Sequence, residues 1–214
     1  MTDKHPPPMF LADSRGLDFL NTLAVPVDTE VEWLASGEDL LVWLQSAGLI
    51  TAEAAAELRS IAKPGELDGA AAQARALREW FRGFVKQHRG KPLTRKAIAE
   101  LEPLNQLLAR DEEFGQIVLR ARNASSDQES VLDFVPQRRW KSPDKLLLPL
   151  AKALAELLTT ADFSDVRQCE GPNCVLHFLD TTRDRRRRWC SMAVCGNRAK
   201  QAALRIRRAA SAGS

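Results

Sequence analysis

No apolar run in this 214-residue chain is long enough to span a bilayer; each is short and interrupted by charge, whereas a crossing helix needs about 20 apolar residues. The opening Met-Thr-Asp-Lys-His-Pro-Pro-Pro has no apolar signal region, so a cytoplasmic, reducing location is expected, with no membrane partner. Histidine is scarce: there are three, none near another. That leaves little acid–base machinery and no His-rich open metal site. A P-loop, a dinucleotide fingerprint and a nucleophile elbow are all missing, and the expectation is that the chain is not an enzyme. No internal repeat and no heptad run occurs. Cysteine is limited to four residues, all between positions 169 and 195. Two disulfides would suit a secreted chain, which nothing here marks. A redox pair would show Cys-x-x-Cys after a strand and before a helix.

What is present is organised around those four residues. Cys169 and Cys174 enclose four residues, as do Cys190 and Cys195, and fifteen residues separate the pairs. Zinc takes four soft ligands at tetrahedral corners, and a short Cys-x₂₋₄-Cys loop wraps one edge. The spacing points to a closed, structural Zn²⁺ site made by Cys169, Cys174, Cys190 and Cys195. His177 lies in the apolar run Val175-Leu176-His177-Phe178-Leu179, which reads as a strand rather than as a source of ligands.

Charge is divided unevenly. From Arg167 to Ser214 there are eleven Lys and Arg against three Asp and Glu, a net +8, so the rest of the +3 chain carries −5. An acidic body with a basic appendage is the layout of a nucleic-acid-binding module. The candidates for phosphate contact are Arg183, Arg185, Arg186, Arg187, Arg188, Lys200, Arg205, Arg207 and Arg208. Arginine suits the task because its planar fork donates two parallel bonds. Asn197 and Arg198 are the types that read adenine and guanine edges; Asn197 also suits a bond within the zinc loop, and Arg198 a stack on Trp189.

Along the body, Leu17-Asp18-Phe19-Leu20-Asn21-Thr22-Leu23 mixes apolar positions with Asp18, Asn21 and Thr22. Those polar groups must either cap local backbone or line a pocket. Asp39–Ala47 reads as an amphipathic helix stopped by Gly48, and Thr51 caps a second that Pro64-Gly65 breaks. Asp68–His88 is a long third helix with Ala74, Leu77, Phe81 and Phe84/Val85 as its stripe. Thr94–Arg110 is a fourth, broken or kinked at Pro103, with Ile98, Leu101, Leu104, Leu107 and Leu108 inward. Phe114–Arg120 and Ser130–Pro136 read as a hairpin around Asn123–Asp127. A fifth helix opens at Ser142-Pro143, with Pro149 forcing a bend or a later start. Trp33, Trp43, Trp80 and Phe81 are expected in the core.

The expected fold class is α+β: a mainly helical domain over residues 9–162 with a small antiparallel sheet, then a treble-clef-like zinc finger over 167–208. In the finger, Cys169–Cys174 is read as a knuckle and Val175–Leu179 as a strand returning through Arg186–Trp189. A helix reaching about Arg208 follows, its stripe of Ala199, Ala203 and Ile206 packed on the hairpin or the body. Metal binding should supply the folding free energy of so small a unit.

Cys190-Ser-Met-Ala-Val-Cys195-Gly196-Asn197-Arg198, with the upstream Phe178-Leu179-Asp180 and Arg187-Arg188-Trp189, resembles the signature of the bacterial CGNR zinc fingers. Leu17-Asp18-Phe19-x-Asn21-Thr22 resembles the opening motif of the ABATE domain, which usually precedes that finger. The resemblance implies a stress-responsive transcription regulator that binds DNA, with a domain that holds a small ligand near Asp18, Asn21 and Thr22. The alternative is an RNA-binding or protein-interaction zinc module. The finger offers few rings for stacking bases, only Trp189 and Phe178, which favours duplex DNA or a protein. Reading a palindrome would require a homodimer.

Overall fold

The computed structural model describes residues 6–25, 29–119 and 132–212. Residues 1–5 of the proline-rich leader and the expected hairpin turn at Asn123–Asp127 lie outside them. The body is helical. It begins with α1 (Arg15–Leu20), followed by β1 (Leu23–Ala24) and β2 (Val31–Glu32), an antiparallel pair of two residues each that the sequence did not suggest. Next come α2 (Gly37–Ser46) and α3 (Ala52–Ile61). Ser36 starts α2 with a reciprocal capping box to Asp39, and Thr51 caps α3 by accepting from the Ala54 amide at 3.2 Å. Such caps satisfy amides that the first helical turn leaves without partners.

The long α4 (Glu66–His88) buries Ala70, Ala74, Phe81, Phe84 and Val85 on the anticipated face, together with Arg78. The region around Pro103 is two helices, α5 (Arg95–Glu100) and α6 (Glu102–Leu108). Proline lacks the amide a continuous helix would need, and here it takes an early position in α6, where none is needed. Leu104 and Leu107 point inward as expected, but Ile98 is 62% exposed, because the break rotates α5 away from that face. The strands β3 (Glu113–Leu119) and β4 (Leu132–Arg138) pair antiparallel over seven registered positions. A short 3₁₀ turn over Pro143–Leu146 leads into α7 (Leu147–Thr160), so Pro149 falls in the first turn of α7 rather than inside it.

The finger opens with β5 (Val166–Gln168), paired antiparallel to β6 (His177–Leu179). This corrects the expected hairpin: β6 pairs with the strand before the knuckle, not with Arg186–Trp189, whose backbone forms no strand. A π turn over Met192–Gly196 runs into α8 (Asn197–Ala212). One apolar cluster runs through the whole arrangement. It joins Leu17, Phe19, Leu20 and Trp43 of the body to Leu176, Phe178, Cys169, Cys190 and Cys195 of the finger. Among the expected core aromatics Trp33, Trp43 and Phe81 are buried and Trp80 is half-buried.

Candidate metal centre and basic surface

The knuckle between β5 and β6 carries Cys169 and Cys174, and the π turn before α8 carries Cys195, with Cys190 just ahead of it. All four sulfurs lie within 4.8 Å of one another; Cys174 to Cys190 is 3.8 Å and Cys190 to Cys195 is 3.6 Å. A tetrahedron with metal–sulfur bonds of about 2.3 Å has edges of about 3.8 Å. The donor set therefore fits a four-coordinate metal ion, and no position is left for a substrate.

The surroundings favour negative charge on some of these sulfurs and oppose it on others. The amides of Gly171 and Cys190 point at Cys169 Sγ, at 3.4 and 3.3 Å. Hydrogen bonds to Cys174 from Cys190 pull the Cys174 thiol down, while that same bond and burial push Cys190 up. Burial and the Cys174 charge push Cys195 up. The sulfurs resist collecting negative charge together, which is the condition a divalent cation relieves. Gly171 cannot carry a side chain here, since a Cβ would stand 2.9 Å from Cys195 Sγ. Asn173 turns the knuckle with φ 61°, a conformation asparagine tolerates better than most residues.

Outside the sulfurs, the finger is locked to the body. Asn21 holds β6 as a strand partner would: its Nδ2 donates to the His177 carbonyl at 2.8 Å, and its Oδ1 accepts from the His177 amide at 2.9 Å. Asp18 accepts from the Ala12 amide at 3.0 Å. Its burial, only partly offset by that bond and by Arg15, holds its carboxyl above the usual range. Thr22 donates to the Phe19 carbonyl and accepts from Arg78 at 3.0 Å. All three motif residues are buried and bonded to the protein itself. Their bonds are those of backbone caps and of a joint to the finger.

Arg187, one of the candidate phosphate contacts, is drawn into the same joint. It donates to the carbonyls of Leu11 at 2.7 Å, Trp189 at 3.0 Å and Cys190 at 2.7 Å, and it pairs with Asp13 at 2.5 Å. Its guanidinium stacks on Phe178, 4.1 Å from the ring centre. Asp180, fully buried, accepts from the Thr182 and Arg187 amides. Burial opposes its charge, but these bonds outweigh burial and hold its carboxyl below the usual range.

The other basic candidates divide by what they touch. Arg185 donates to the Asp180 carbonyl and lies 3.3 Å from Asp165. Arg188 pairs with Glu170 at 2.6 Å and covers Trp189. The Asn197 side chain donates to the Ala193 carbonyl at 3.1 Å, inside the metal loop. Arg183, Arg186, Lys200, Arg205 and Arg207 are exposed and carry no ion pair among the described residues. Arg198 and Arg208 stand on α8 with Lys200, Arg205 and Arg207, also exposed. The apolar positions of α8 are not packed as expected: among the described residues Leu204 is 44% and Ile206 71% exposed.

Two features escaped sequence reasoning. One is a cavity of about 420 Å³ between the N-terminal segment and the finger; it opens onto the metal site, with Cys174, Cys190 and Cys195 lining it beside Met9, Leu11 and Arg198. The other is the His177 ring, buried with neither nitrogen bonded. Burial, with the charges of Arg89 and Arg82, lowers its pKa from 6.5 to about 4. An unfolded chain then takes up this proton before the folded one. Stability is full above pH 6.5 and falls as pH drops toward 4, by roughly 3 kcal/mol for this group. Unfolding free energies of the wild type and His177→Phe should diverge across that window; parallel curves would refute the assignment.

No curated protein matches the chain. Residues 166–208 match the family model "CGNR zinc finger". Residues 13–161 match the ABATE model, described as "Putative stress-induced transcription regulator". Among the described residues no helix is long and apolar enough to cross a membrane. The body with its capping motif at Asp18–Thr22 and the four-cysteine unit joined to it match these two models in order, and the chain belongs to the ABATE family with a CGNR zinc finger following.

Proposed function

We propose that the protein is a transcription regulator that binds duplex DNA through its basic four-cysteine module, with zinc as the metal. The observation that carries this reading is α8. It leaves the metal site at Asn197, runs sixteen residues and is exposed at every described position from Lys200 to Arg208. A helix of that length spans about 24 Å, and the major groove of B-DNA, about 12 Å wide, admits one. Lys200, Arg205 and Arg207 are available on it, with Arg183 and Arg186 beside the metal site. Trp189 is half-buried beneath Arg188, so the finger lacks an open stacking ring and the single-stranded RNA alternative is disfavoured. The cavity between body and finger supports a sensing role, because a small apolar ligand there would touch both units.

Duplex binding by metal-loaded protein should weaken with salt, with a log–log slope of about −5 for about six phosphate contacts. Replacing Lys200, Arg205 and Arg207 together by alanine should reduce that slope by about 3. Fluorescence anisotropy over a salt series measures both. Absent duplex binding at low salt, or preference for single-stranded RNA in competition, would sink the proposal.

A further inference from the structure

Beyond the charged pair Glu113 and Arg138 at its base, the β3–β4 ribbon presents one face of apolar or side-chain-free residues. The register pairs Gly115 with Pro136, Ile117 with Phe134 and Leu119 with Leu132, and alternation puts all six on one side. Among the described residues nothing covers that side: Ile117 is 67%, Leu119 67%, Leu132 63% and Phe134 76% exposed. Proteins protect such surfaces with charge, yet none of these six positions carries any. The base of the ribbon is well anchored. Arg138 pairs with Asp111 at 2.6 Å, Lys152 with Glu113 at 2.8 Å, and Arg139 covers Phe114. Gly115 makes room for its neighbour. The Phe134 ring fills the space a side chain at 115 would take, with ring atoms 1.9 Å from the position of a Cβ.

We propose that this face is a homodimer interface, in which the ribbon of one chain packs on the same ribbon of a second copy. A two-stranded ribbon gains stability when its apolar face is covered, and two such faces stack about 10 Å apart as a four-stranded sandwich. A second copy is the occupant that fits. An uncharged apolar strip can pair with its own copy, as a two-fold interface must, and it imposes no charge repulsion on two acidic bodies. Area agrees: four large apolar side chains from each copy hide about 1,000 Å² in total, the lower limit of a specific interface. The proposal is independent of DNA binding.

The test is sedimentation of the full-length, metal-loaded protein, beside the double variant Ile117→Lys/Leu132→Lys and the helix variant Leu204→Lys. The expected result is twice the mass of one chain for the wild type and Leu204→Lys, and half that value for the ribbon variant. Amide protection of residues 117–119 should also rise with concentration in the wild-type protein, which reads the interface without any substitution. A wild-type monomer, a dimer that survives the ribbon variant with its far-UV dichroism intact, or protection independent of concentration would overturn the proposal.

Discussion

Removing the metal, by chelation or by Cys190→Ser, is expected to abolish the finger fold and DNA binding together. Structural four-coordinate zinc supplies about 10–16 kcal/mol to small fingers near neutral pH, and β5, β6 and the π turn offer little else to hold four sulfurs together. The effect should extend into the body, because Leu176, Phe178 and the cysteines share its apolar cluster. Thermal unfolding of the chelated protein should therefore show a lower midpoint for the body as well as lost finger structure. Metal analysis should find one ion per chain in the wild type and none in the variant. A chelated protein with an unchanged melting curve and unchanged DNA affinity would overturn both the structural role and the folding linkage.

Arg78→Met should be the most damaging single change in the body. Arg78 is 2% exposed and sits on the buried face of α4. Its two terminal nitrogens hold both oxygens of Glu32 at 2.7 Å, one also reaches Thr22, and Nε meets Glu79 at 2.8 Å. Methionine keeps the volume but leaves Glu32 and Thr22 without their partner. Losing one member of a buried pair costs about 3–5 kcal/mol, whereas replacing both by apolar residues costs far less. The single variant should melt about 10 °C lower, and Arg78→Met/Glu32→Met should recover most of that loss. If the single variant melts with the wild type, the pair is not what holds β2 against α4.

Much of this was legible in the sequence because it is written locally. The four cysteines announce their chemistry through spacing alone, and the start of α3 is announced by Thr51. The break at Pro103 and the pairing of β3 with β4 follow from proline and from alternation. What could not be read were partnerships across long separations. Asn21 meets His177 across 156 positions, and nothing near either residue marks the other. Arg187 looks like its neighbours Arg186 and Arg188, and only the fold sends it inward to Leu11 and Cys190. Arg78 was passed over because a mid-helix arginine ordinarily faces water. The same limit explains α8 and the ribbon: alternation and periodicity give an apolar face, but they do not say whether anything covers it.

The Asn21 joint bears on how such proteins are taken apart. Matches to two separate families invite a cut near residue 165 and the transplanting of the finger as a portable reading head. The excised piece would lose the asparagine that completes β6, the carbonyl of Leu11 that Arg187 binds, and the cover over Phe178. A fusion or truncation that ends there would carry an exposed hydrophobic seam whatever metal it held. Inheritance of this finger and its body as one block, rather than as interchangeable parts, is what that seam would enforce.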